Sequence, residues 1–216
     1  AISRVCWYAI QKPYLVYPDS TQYIAFDTSE VLRGNLGAAE GRPPLYGIFL
    51  DFMQLLFGNN YLEVTKCVQV LVSVLSIFIF AKLLGRIGVG SRWRELCVFF
   101  YGVTPAVVGW EVAILTESFS LSGAVLFFYW VVLYIQEHRH GVLANLLALA
   151  LSFLRPQFMV YLALLLVFYV LKLIFPYNKK ERRTILSLLL LQVVLWGGIL
   201  GYCAAFEQHT GVFSLS

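Results

Sequence analysis

The chain has 216 residues, of which 60% are hydrophobic, 16% aromatic and only 13% charged, whereas soluble domains carry roughly a quarter charged residues. Its mean hydropathy is +0.76, and apolar runs of about twenty residues recur, the length that crosses roughly 30 Å of hydrocarbon, so a soluble domain is excluded and an integral membrane protein is expected. The net charge of +4 comes from basic residues dispersed between apolar runs and not interleaved with aromatics along one face, which excludes nucleic acid as a partner.

In chain order, residues 1–42 are mixed and polar, with Asp19, Asp27, Glu30, Glu40, Arg33 and Arg42, and contain no span. Pro18-Asp19-Ser20-Thr21-Gln22-Tyr23 predicts a helix start with Asp19 or Ser20 as its N-cap; Asp19 and Tyr23, four apart, then share a face. The cluster Gly41-Arg42-Pro43-Pro44-Leu45-Tyr46-Gly47 sets the entry of the next helix, since proline is tolerated in a first turn. From Pro43 to Gly58 the residues Gly47, Asp51, Gln54 and Gly58 line one face of an otherwise apolar helix. At about 24 Å it is marginal for crossing, and Asp51 belongs at the water boundary, so an interfacial helix is expected.

Six apolar passes follow: Tyr61–Leu84, Glu95–Gly109, Glu111–Ile135, Gly141–Leu154, Pro156–Phe175 and Ile185–Phe206, the second and fourth of them short. The expected fold is therefore all-α, a polytopic transmembrane helical bundle with an outer-face segment and an interfacial helix before the spans. Residues 1–58 form the extracytoplasmic part that bears the candidate site, and residues 59–216 the transmembrane region. The chain opens at Ala1 without a methionine and stops at Ser216 in mid-pattern, so a piece of a longer protein is expected.

The loops after the first, third and fifth passes hold Lys82, Arg86, Arg92, Arg94, Arg139, Lys172, Lys179, Lys180, Arg182 and Arg183, ten of the sixteen basic residues. Lys and Arg favour the cytoplasmic side, so those loops are placed inside. The other side collects Asp19, Asp27, Glu30, Glu40, Asp51, Glu63, Glu111, Glu117 and Glu207, nine of the twelve acids, together with Arg42 and Arg155. Cys6, Cys67, Cys97 and Cys203 show no metal or redox spacing and are expected as small packing residues. His138 and His140 flank Arg139 in a solvated loop, and with His209 they form no metal triad.

Three features of the outer side can carry chemistry. Asp19 is either a helix cap or a carboxylate base. Arg42 stands just before a helix N-terminus, where two positive ends suit an anion, a phosphate above all. Thr116, Ser120 and Gly123 form a stripe beside Glu117 at the start of the third pass, and Arg155 opens the fifth at the same level. Ionisable groups at membrane depth face a cavity or a partner; Glu117 and Arg155 are either a structural ion pair or part of a site.

An Asp-x-x-x-Tyr segment, a basic residue with Pro-Pro-Leu about twenty residues on, and short spans with Thr116-Glu117 and Arg155-Pro156 at their outer ends together resemble the GT-C glycosyltransferases. The nearest branch contains protein O-mannosyltransferases and the aminoarabinose transferase of lipid A; Ser20 stands where those enzymes carry a second acid. The resemblance covers Pro18 to Ser216, about the amino-terminal half of such enzymes. It implies transfer of a hexose or pentose, with inversion, from a polyprenyl-phosphate donor to a hydroxyl of a lipid, glycan or protein acceptor on the extracytoplasmic side. It further implies Asp19 as general base, Arg42 and Arg155 as donor-phosphate ligands, Tyr23 and Glu117 in support, and no metal or cofactor. Compact loops and the lack of Asn-x-Ser/Thr sequons point to a bacterial plasma membrane. A transporter or a non-catalytic lipid-binding membrane protein would also explain the passes and Glu117, but not the segment from Asp19 to Arg42.

Overall fold

The computed structural model describes residues 2–10, 15–36, 41–174 and 179–215, and among these the regular structure is helical with no strand. Glu40 and Phe175 lie outside the described residues, as do the side chains of Lys179 and Lys180.

The amino-terminal segment holds three short helices, α1 (Ile2–Ile10), α2 (Pro18–Ile24) and α3 (Thr28–Leu32). The N-cap of α2 is Tyr17, not Asp19 or Ser20. Pro18 takes the first helical position, where its missing N–H costs nothing, and Ser20 Oγ accepts from Tyr17 N–H at 2.9 Å. Asp19 is thereby released from capping and faces outward. In α3 the cap is Asp27, whose carboxylate accepts from the backbone of Ser29 and Glu30.

Helix α4 (Pro44–Phe57) doubles back on α5 (Tyr61–Arg86) through Gly58, whose φ of 54° and ψ of −132° suit glycine alone. The hairpin closes where the Tyr46 hydroxyl donates to Gln69 Oε1 at 2.8 Å. Four segments are long and apolar enough to cross a membrane: this hairpin (Pro44–Arg86), α8 (Glu117–Glu137), Pro156–Ile174, which contains α10 (Met159–Ile174), and Glu181–Thr210 within α11 (Lys179–Thr210). Helix α9 (Gly141–Leu154) is apolar but shorter. Large apolar side chains remain exposed along these helices, among them Leu75, Phe128, Val167, Leu171, Leu190 and Val194. Apolar surface on that scale needs lipid around it.

The pass expected from Glu95 to Gly109 is not a span. It divides into α6 (Ser91–Val103) and α7 (Pro105–Val108), because Thr104 is held extended, with ψ of 120°, ahead of Pro105. The pass expected from Glu111 begins instead at Glu117. Residues 112–116 are captured by distant partners: Leu15 N–H donates to Val112 O, Ile114 N–H donates to Leu15 O, and the Gln69 amide donates to Ala113 O. These bonds satisfy the backbone there without a helix.

Helices α5, α8 and α10 run in one direction. The Arg86 to Glu137 ion pair joins the ends of α5 and α8, and the Tyr134 and Tyr169 rings, 5.7 Å apart, join α8 to α10. Helices α9 and α11 return; Asn145 donates to the Tyr169 hydroxyl at 2.8 Å and accepts from Gln192 at 2.6 Å, tying three helices together inside the bundle. Such interhelical bonds contribute about 0.6 kcal/mol each in lipid. The basic residues Lys82, Arg86 and Arg139 therefore sit at one end, and Asp19, Arg42, Glu117 and Arg155 at the other. His138 and His140 occupy the exposed turn between α8 and α9, both with positive φ. Of the cysteines, Cys203 alone packs inside, while Cys6, Cys67 and Cys97 are exposed, against the expectation that they fill gaps.

Candidate functional site

Helix α2 places Asp19, Gln22 and Tyr23 on one face, the consequence of i, i+3 and i+4 spacing, and all three meet Arg42. Its Nη2 lies 2.8 Å from Asp19 Oδ1, its Nε donates to Gln22 Oε1 at 2.5 Å, and its guanidinium stands 5.6 Å from the centre of the Tyr23 ring. Asp19 is 63% exposed and Arg42 28%. The sequence placed a free arginine beside the start of α4; the structure gives that arginine a carboxylate, an amide and an aromatic face.

Tyr23 carries the site inward. It is buried and its ring packs edge-on against Tyr46 at 5.1 Å, with Thr116, Arg42 and Arg155 all close enough to act on its hydroxyl. Burial pushes its phenol above the ordinary value; the neighbouring Thr116 hydroxyl and the charges of Arg42 and Arg155 offset this only in part. Tyr23 therefore stays protonated and does not serve as a base. Thr116 Oγ1 accepts from Arg155 Nε at 2.9 Å, and Arg155 Nη2 pairs with Glu117 Oε1. The five residues singled out in the sequence thus gather in two contacting sets, Asp19 and Tyr23 around Arg42, and Glu117 with Arg155, set side by side where Tyr23 nears Thr116.

The stripe of Thr116, Ser120 and Gly123 does not act as a unit. Thr116 stands at the N-cap of α8, Ser120 lines a cavity that Glu117 also lines, and Gly123 lines an apolar one, where a methyl group on it would stand 2.6 Å from Leu151 Cδ2.

Two cavities flank the chain. The first, about 450 Å³, lies between α4, α5, α8 and α9 and is apolar, lined by Leu45, Phe49, Leu75, Phe119, Leu147 and Leu154. Its rim at Leu45 is three residues from Arg42, and at Leu154 it adjoins Arg155. The second, about 300 Å³, is lined by Glu111, Glu117, Ser120 and Arg155 among others.

One group of buried charges escaped the sequence reading. Arg4, fully buried, pairs with Glu111 at 3.0 Å, donates to the carbonyls of Ser73 and Tyr101, both at 2.8 Å, and lies 4.8 Å from the Tyr101 ring centre. Ser73 Oγ donates to Glu111 at 2.5 Å. Burial raises the Glu111 carboxyl to about 7, against the opposing pull of Ser73 and Arg4. No short-range pattern marks this pair; an arginine in an amphipathic opening helix was its only sequence signal.

Comparison of the chain with protein-family models, with curated proteins and with solved structures finds no match in any of the three.

Proposed function

We propose that the protein is a membrane glycosyltransferase that moves a sugar from a polyprenyl-phosphate carrier to an acceptor hydroxyl on the extracytoplasmic side, most simply of a bacterial plasma membrane. The observation that carries this reading is the position of Arg42 and Arg155. They are brought near each other by Tyr23 and Thr116, and each stands close in the chain to a residue that lines the apolar cavity, Arg42 three residues before Leu45 and Arg155 directly after Leu154. A lipid phosphate combines an anion with an apolar tail, and this arrangement sets cations close to an apolar slot.

In that reading the acceptor oxygen bonds to the anomeric carbon as the bond from that carbon to the phosphate oxygen breaks, with inversion. The leaving phosphodiester becomes a monoester and gains charge, which Arg42 and Arg155 stabilise. Asp19 takes the acceptor proton. Its contact with Arg42 gives the step an order: an arriving phosphate competes for the guanidinium, and the carboxylate is freed as the donor seats. Gln22 and Tyr23 keep Arg42 in place during the exchange, and Glu117 does the same for Arg155. The charge count along the chain supports an outer position for this end of the bundle.

The test is donor-phosphate binding to the full-length protein in nanodiscs, with undecaprenyl phosphate as the probe. Arg42→Ala should weaken binding by about tenfold to a hundredfold, the value of one charge-assisted hydrogen-bond pair. Unchanged affinity in Arg42→Ala removes the arginine from the site and the reading with it.

A further inference from the structure

The second cavity is lined by a different face of α8 from the apolar slot, and by Arg155, and its chemistry is one-sided. Three buried oxygen atoms of residues that line it, Glu111 Oε2, Glu117 Oε2 and Ser120 Oγ, have no hydrogen-bond partner among the described residues. Glu111 is 1% exposed and Ser120 4%. Buried polar atoms without partners are uncommon in folded chains and are costly where they occur. The remaining wall is aromatic and aliphatic, with Trp110, Phe158, Tyr161 and Leu121.

Charge at the cavity is already balanced, since Glu111 is paired with Arg4 and Glu117 with Arg155. The described residues also hold no group of three side chains placed to bind a metal ion. What the cavity asks of a ligand is therefore hydrogen-bond donation rather than charge. A ligand that donates several hydrogen bonds from one edge, shows C–H groups to aromatic rings on another and fits in about 300 Å³ has the chemistry of a single sugar ring.

We propose that this cavity is the sugar pocket, holding one neutral pyranose or furanose ring by its hydroxyls on Glu111, Glu117 and Ser120 with Trp110 against its face. The proposal rests on the transferase reading and adds to it the place where the transferred sugar sits, between the arginines and the buried Arg4 and Glu111 pair. Glu111 and Ser120 are then specificity residues, because each reads a hydroxyl whose position differs between sugar epimers.

Trp110, 39% exposed on the cavity wall, supplies the signal. The full-length protein in nanodiscs is titrated with n-octyl β-D-glucoside and n-octyl β-D-galactoside, both below micelle formation. Octyl tetraethylene glycol, with the same tail and no sugar, is the control. At least one glycoside should give a saturable fluorescence change that Trp110→Phe abolishes, and the control should give none. Ser120→Ala should weaken glycoside binding about threefold to tenfold, the loss of one hydrogen bond, while the melting temperature holds or rises because an unpartnered buried hydroxyl is removed. A lower melting temperature with unchanged glycoside affinity would make Ser120 structural and overturn the proposal, as would equal responses to glycosides and control. Sugar binding in a protein that transfers no sugar sinks the transferase reading and leaves the pocket standing. Transfer without Trp110-dependent binding sinks the pocket alone.

Discussion

Glu111→Gln isolates the buried pair that the sequence did not announce. In the wild-type protein the Glu111 carboxyl is raised from 4.5 to about 7, chiefly by burial. Between those two pH values the folded chain holds a proton that the unfolded chain has released, so stability falls as pH rises through the interval and is level above it. At 1.36 kcal/mol per pH unit the interval corresponds to about 3 kcal/mol, a large share of the stability of an ordinary domain. Gln has nearly the same shape and no proton to lose, so the variant should lack this slope. The carboxylate of Asp27, held below its ordinary value by hydrogen bonds from Ser29 and Glu30, acts at lower pH and does not intrude. Reversible unfolding in mixed micelles, followed by tryptophan fluorescence at pH 5, 6, 7 and 8, measures the difference between the two proteins. A wild-type stability that rises across the interval, or a Gln variant with the same slope as wild type, would refute the reasoning.

Two further outcomes concern packing and the ion pair at the site. Gly47→Ala places a methyl group against the Phe26 ring, which is itself held by Phe206; overpacking of this kind should cost about 1–3 kcal/mol, read from the unfolding midpoint. A double-mutant cycle on Glu117→Gln and Arg155→Met should give a coupling of about 1–3 kcal/mol, since both side chains are partly buried and hydrogen-bonded; a coupling near zero would show that the pair does not hold α8 to the start of α10.

Local spacing explains what was legible beforehand. Asp19 and Tyr23 shared a face because four residues make a helical turn, and Arg155 met Glu117 because the third and fifth passes run in the same direction and start at one level. The all-helical bundle and the segregation of Lys82, Arg86 and Arg139 to one end likewise follow from hydropathy and charge order. What was missed depended on partners far away in sequence. Residues 112–116 read as helix until Leu15 and Gln69 bound their backbone, and Arg4 found Glu111 only through the docking of α1 against α5 and α6. The contact of Asp19 with Arg42 was also beyond spacing: each had a plausible separate task, and only the docking of α2 beside the start of α4 made them partners. Exposure of Cys67 and Cys97 was hidden for another reason, since an apolar run does not say which of its faces is covered by other helices.

In the proposed mechanism Asp19 acts as the base of a sugar transfer for which Arg42 and Arg155 hold the phosphate. The most direct test supplies the full-length protein in nanodiscs with polyprenyl-phosphate sugars and an acceptor-containing membrane extract, and measures transfer by wild type and by Asp19→Asn. Asn keeps the shape and can still accept from Arg42, so donor binding should survive, while transfer should fall by about a hundredfold to ten-thousandfold, the usual contribution of a positioned base. Transfer at the wild-type rate in Asp19→Asn would contradict the account.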